Sequence, residues 1–204
     1  MQKTKNHEVS ELNYTAAINY ISERLKGLRD NLYYHNLDHT LDVANAASWL
    51  ANIEGVEGED KLLLLTAAYY HESGFLIQYE NNQEIAVNLV KGVLPAYGYS
   101  DRHIKTVTNL ILATKMPQTP KNKHLEQIIC DADNDNLGRG DFFQKTENLR
   151  RELASYVKIF SPRQWYEKAL EFLEWHNYFT ETSKKFRQSG KEKNIREIKE
   201  LLGR

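Results

Sequence analysis

The feature that most constrains this fold is the scarcity of residues that break a helix. Only 4 prolines and 10 glycines interrupt 204 residues, and nearly every stretch between them repeats its apolar side chains with helical period. No alternation of the kind that marks a half-buried strand runs for more than a few residues. The pattern predicts an all-α protein, a single-domain helical bundle. Leu12, Ala16, Tyr20, Ile21, Leu25 and Leu28 mark a first helix, ended by Asp30-Asn31. A second is expected to start at Asp38 as its N-cap and to bury Leu41, Ala44, Ala47, Leu50 and Ile53. The third, from about Asp60 to Tyr70, is apolar nearly all round, as befits the centre of a bundle, and Gly74 is expected to end it.

A fourth helix, from about Asn82 to Leu94, is stopped by Pro95, and Ser100 is placed to cap a fifth with Ile104, Val107, Leu110 and Ile111 as its buried stripe. "HLEQIICDAD" reads as a short apolar helix running into an acidic turn. "SPRQ" (Ser161 to Gln164) combines a capping box with proline at the first helical position, and starts a helix carrying Trp165, Leu170, Leu173 and His176. Trp165, Phe172, Trp175 and Phe179 read as packing, and His103, His124 and His176 as surface or core-edge residues. Residues 1–180 are expected to form the main domain. Residues 181–204 are expected to form a charged helix packed on it, with Glu192–Arg196 and Arg196–Glu200 as solvated neighbours.

Composition narrows the function classes. The chain is long enough to bury a sizeable core, and 41% hydrophobic with 27% charged residues is ordinary for a soluble protein. A formal net charge of −1 offers no basic field for a nucleic acid polymer or an anionic membrane. Cys130 is the single cysteine, so neither an internal disulfide nor a cysteine-built zinc site is available. The first residues lack the apolar core of a signal peptide, and no apolar run is long enough to span a bilayer. A cytoplasmic protein is the expectation.

Three places bring metal-capable side chains to helix ends. "YYHNLDH" sets His35 four residues before His39, His71-Glu72 closes the third helix, and "DADNDNLG" opens a helix into carboxylates. Imidazole with carboxylate is the mixed donor set that suits zinc, manganese or iron. The acidic stretch fails as a calcium loop, because Asn136 stands where glycine is required and Phe142 where a glutamate should bind. Singly, each histidine has an ordinary structural explanation; their order along the chain is what carries information.

That order resembles the HD superfamily of metal-dependent phosphohydrolases, and among them bacterial members described as predicted HD phosphohydrolases. The matching segments are "YHNLDH", "HESG", "NNQE", "LATK" and "DADNDNLG", and the resemblance covers about Tyr33 to Thr180. It implies His39, His71, Glu72 and Asp133 as ligands of one divalent metal ion (manganese, zinc, iron or magnesium), with Asp131 the less favoured choice for the last place. It also implies metal-activated water attacking a phosphomonoester or phosphodiester, with a nucleotide as the expected small phosphorylated substrate. Lys115 is the expected phosphoryl-binding cation, and Glu84 the group that orders the water or takes its proton. His35 and Asn36 either contact substrate or hold the "YHN" turn by hydrogen bonds.

The chain departs from the family at Glu72, where the pattern has aspartate. Glutamate keeps the charge but reaches about 1.5 Å further. A regulatory or ligand-binding module that kept the fold and lost turnover is therefore the alternative. An iron-dependent oxygenase is a second rival, opposed by the shortage of ligands for an iron pair.

Overall fold

The computed structural model describes residues 12–121 and 123–204. Residues 1–11, assigned to the main domain from sequence, lie outside the described residues. The chain forms α1 (Tyr14–Leu25), α2 (Leu37–Ile53), α3 (Gly58–Tyr70), α4 (Asn82–Val93), α5 (Asp101–Ala113), α6 (His124–Asp133), α7 (Phe142–Tyr156), α8 (Pro162–Trp175) and α9 (Glu181–Leu202). Short 3-10 turns follow at Ser73–Leu76, Leu94–Tyr97 and Asp135–Gly138. There is no strand among the described residues, as the helical period predicts.

The core is organised around α3. Its Leu63, Leu64, Ala67, Ala68 and Tyr70 are essentially inaccessible, and α1, α2 and α5 pack around it. The Tyr70 hydroxyl donates to the carbonyl of Ala17 at 2.9 Å, fixing α3 against α1 without leaving a buried polar group unpaired. A smaller apolar cluster joins Leu137, Phe142, Leu170, Leu173, Ile198 and Leu202 from the Asp135–Gly138 turn, α7, α8 and α9. Ser161 and Ser100 cap their helices as expected, each in a capping box closed by Gln164 and His103 respectively.

Several local expectations are corrected. The N-cap of α2 is Asn36, whose side chain accepts from His39 N at 3.2 Å; Asp38 lies in the first turn, where the helix dipole favours its charge. Leu41 and Ile53 are exposed, and the buried face of α2 runs instead through Val43, Ala44, Ala47, Leu50 and Ala51. Gly74 does not terminate α3, which ends at Tyr70. It lies in the following 3-10 turn, where a Cβ would sit 2.0 Å from the carbonyl oxygen of Asn82. His176 is buried and caps the C-terminus of α8; desolvation pushes its imidazole down to about 4. α7 has no counterpart among the elements read from the sequence, because its buried residues are few and its composition is mostly polar.

α9 is held by its backbone and its carboxylate partners more than by apolar area. It crosses the Asp135–Gly138 turn so closely that a Cβ on Gly190 would lie 2.0 Å from the Gly138 carbonyl oxygen. Asn194 Nδ2 donates to the Leu137 carbonyl at 2.9 Å across the same contact. On its outer face Gln188 donates to Glu192 and Lys193 pairs with Glu197, so the expected Glu192–Arg196–Glu200 ladder is not the set of contacts formed. Exposed partners of this kind are nearly equivalent in energy.

Gly190→Ala is expected to destabilise the protein by about 1–3 kcal/mol in urea unfolding, because the helix must move off the turn. Gly92→Ala, in an exposed stretch of α4 with nothing within 4 Å of the new Cβ, is expected to stabilise by roughly 0.5–1 kcal/mol.

Candidate metal centre

Four side chains from three separated segments meet at one point. His39 comes from the first turn of α2, His71 and Glu72 follow the end of α3, and Asp133 is the last residue of α6. One donor atom from each lies within 4.8 Å of all the others. His39 Nε2 is 3.3 Å and His71 Nε2 3.6 Å from Asp133 Oδ1, and His71 Nε2 is 3.4 Å from Glu72 Oε1. Donors spaced in this way suit neighbours on the coordination sphere of an ion with bonds of about 2.0–2.2 Å.

The second test of fit is hydrogen bonding. His71 Nδ1 donates to the Ala68 carbonyl at 2.7 Å, which turns its Nε2 lone pair towards the shared point. The Nε2 atoms of His39 and His71 are both buried without a hydrogen-bond partner among the described residues. Two orphaned imidazole nitrogens facing two carboxylates fit a divalent cation. Glu72 is steadied by Asn82, whose Nδ2 donates to Oε2 at 2.8 Å, leaving Oε1 for the centre. Gly74 makes this possible: its missing side chain is the space that the main chain of Asn82 occupies.

The electrostatics of the four side chains show the charges a divalent ion would meet. Burial opposes a charge on His71, but Glu72, Asp133 and the Ala68 carbonyl outweigh it and push the imidazole up to about 9. His39 shifts the other way, lowered by burial despite Asp133. Burial also works against the Asp133 carboxylate, yet the two imidazoles hold its pKa well below the usual carboxylate range. The two imidazoles are thus pulled in opposite directions, His71 up and His39 down.

A family model described as HD domain matches residues 36–136, a span that contains all four of these residues. The chain belongs to the HD superfamily. An uncharacterized protein of Clostridium beijerinckii is 32% identical over 126 residues, 60% of this chain and 78% of that one. The crystal structure of a predicted HD superfamily hydrolase from an uncultured Thermotogales bacterium superposes with a TM-score of 0.61 at 19% identity, covering 93% of this chain and 91% of that one. At that identity the likeness is one of fold.

Beyond these four residues, this HD protein places its other sequence-predicted residues unevenly. His35 lines a cavity together with Glu72 and Asp133, and its ring stacks on Phe75 at 4.8 Å. Asn36 is spent on its turn: besides capping α2, it donates to the Leu32 and Tyr33 carbonyls. Lys115 and Glu84 pair with each other, half-exposed, and neither lines the cavity, although their neighbours Thr114, Met116 and Gln83 do. Asp131 is buried and accepts from Phe179 N, Thr180 N and the Thr180 hydroxyl at 2.7–2.8 Å, so it anchors the start of α9.

Sequence reasoning missed Glu152. This fully buried carboxylate of α7 accepts from Tyr34 N at 2.8 Å, His35 N at 2.9 Å and the Tyr79 hydroxyl at 3.1 Å, and it also bonds His35 Nδ1. It fixes the "YHN" turn from 117 residues away; its segment "LRREL" is similar to the family's, but nothing in that segment assigns Glu152 this role. Burial opposes its charge, but His35 and the backbone donors outweigh burial and hold its pKa below the ordinary 4.5. Trp165 and Phe172, read as packing, prove to line the cavity, while Trp175 is exposed.

Two outcomes are expected. Binding of a divalent ion at neutral pH should release about one proton, because His71 must give up its own to coordinate, and apparent affinity should rise with pH until about pH 9. Calorimetric titration in two buffers of different ionisation enthalpy measures this. Glu152 contributes stability above pH 4.5 that is lost as pH falls through its lowered folded value. Glu152→Gln should therefore be less stable by roughly 2 kcal/mol at pH 7 and show a shallower acid limb in denaturant unfolding.

Proposed function

We propose that this HD protein is a metal-dependent hydrolase of a phosphomonoester or phosphodiester. The observation that carries the reading is the convergence of His39, His71, Glu72 and Asp133, two of which, Glu72 and Asp133, also line a cavity large enough for a small substrate. A divalent ion held there would supply Lewis acidity, lowering the pKa of water and polarising a phosphoryl oxygen. The mixed imidazole and carboxylate donors favour manganese, zinc or iron over magnesium.

The chain's own groups divide the remaining work. Asn82 orients Glu72, and the carbonyl of Ala68 orients His71. His35, fixed by Glu152 through Nδ1, lines the cavity with Glu72 and Asp133 and would be the group that meets an oxygen of the substrate. The half-enclosed walls limit water around the reacting group. The roles expected of Lys115 and Glu84 require their mutual ion pair to separate when an anionic substrate arrives. The nucleotide expected from the resemblance is one candidate for the organic part of the substrate.

Glu72 favours an intact site over an impaired one. Its longer arm brings Oε1 to 3.4 Å from His71 Nε2 while Oε2 is held by Asn82. Shortening it by about 1.5 Å should open the cluster. Metal content, measured with a phosphatase and phosphodiesterase panel across manganese, zinc, iron and magnesium, tests the reading. Turnover is expected in wild type, lost by roughly 100-fold or more in His39→Ala and reduced in Glu72→Asp. Metal binding without turnover in wild type, with turnover gained in Glu72→Asp, would make this chain a ligand-binding member instead.

A further inference from the structure

The cavity beside the metal ligands has a volume of about 350 Å³ and two unlike ends. His35, Glu72 and Asp133 form the polar end. The amides Gln83, Asn134 and Asn136 line the cavity as well. The far wall is built from two helical stripes. On α7, Phe142, Thr146, Leu149 and Leu153 recur at helical spacing, and on α8 Trp165, Ala169 and Phe172 do the same. Phe142, Thr146, Trp165 and Ala169 are buried and Leu149, Leu153 and Phe172 half-buried, yet all of them border the cavity.

The polar atoms within that wall are already engaged. Trp165 Nε1 donates to Thr146 Oγ1 at 3.1 Å, which joins α7 to α8 and leaves the indole no donor for a ligand. Lys168 is the one lysine or arginine among the lining residues, and it is exposed, with Nζ 5.7 Å from the Phe160 ring. A nucleoside polyphosphate carries several charges that need cations or bidentate arginines along their length. A ribose needs partners for its hydroxyls, because buried unpaired polar groups cost binding energy. The wall supplies neither.

We propose that the site takes phosphoesters whose organic part is a compact apolar group, aryl or branched alkyl, seated between α7 and α8. The phosphoryl end of this assignment rests on the hydrolase reading; the apolar end rests on the cavity wall. Size agrees with chemistry: 350 Å³ accommodates a bicyclic aromatic body, and its apolar area gains from leaving water.

Non-hydrolysable phosphonates separate the two ends. Calorimetry on the manganese-loaded full chain compares naphthylmethyl phosphonate, hydroxyethyl phosphonate and the phosphonate analogue of adenosine monophosphate. The naphthyl compound is expected to bind about tenfold or more tightly than the other two. Leu149→Asn, a polar substitution of similar size at a half-buried position, should bring the preference close to parity, and Ala169→Leu should lower it by filling the space. Equal or tighter binding of the nucleotide analogue, or a preference untouched by both substitutions, would overturn the proposal. A naphthyl preference that persists while none of the corresponding esters is hydrolysed would support the apolar chamber and sink the hydrolase reading alone.

Discussion

Every second residue from Asp131 to Asp135 is a carboxylate turned towards a different partner, and the structure hangs on that turn. Asp133 faces the imidazoles of His39 and His71. Asp131 accepts the first backbone and hydroxyl donors around Thr180, and Asp135 accepts Arg187 at 2.6 Å and 3.3 Å. The same few residues thus close the metal cluster and fasten α9 on both sides of it. Carboxylates buried this deeply need full sets of donors, so the cluster and the position of α9 constrain each other. That coupling explains why a mostly polar helix such as α9, with little apolar area to bury, packs so closely on the Asp135–Gly138 turn.

What was legible in the sequence was what local rules encode. Helical period located α1 to α6, and the serine caps at Ser100 and Ser161 stand where side-chain chemistry puts them. The four side chains that meet at the candidate metal centre were legible as a group because they sit in short motifs in a fixed order. Asn36 was misread against Asp38 because both are good caps, and the choice between them is made by where His39 N points. α7 was missed because its face is spent on a cavity and on one buried glutamate, so it lacks the continuous apolar stripe that period analysis detects. Glu152 itself was out of reach: its partners lie 73 to 118 residues away and are largely backbone atoms.

Glu72 shows how a carboxylate side chain can lengthen and still keep its place in a cluster. A longer side chain needs a partner to fix the extra rotatable bond, and Asn82 does this from the first turn of α4. Asn82 can approach only because Gly74 has no side chain. Three residues in the neighbouring "HESG" and "NNQE" segments therefore act as one unit. The departure from the family pattern at position 72 is intelligible only with the residues that accompany it.

The double use of α7 has an evolutionary consequence. One of its faces walls the cavity while Glu152, on the same helix, holds the turn that carries His35. Tyr156 adds a second tie, reaching Asn31 in the same loop and stacking on Tyr79 at 4.2 Å. A drift of α7 that widened the chamber would drag His35 out of register, so this helix is poorly free to follow a change of ligand. Among the described residues α8 makes no comparable bond to that turn, and it meets α7 through the Trp165–Thr146 hydrogen bond and side-chain contacts such as Phe143 on Tyr166. Adaptation to a new chemical neighbourhood should therefore accumulate on the α8 side of the chamber, with α7 left as the fixed jaw.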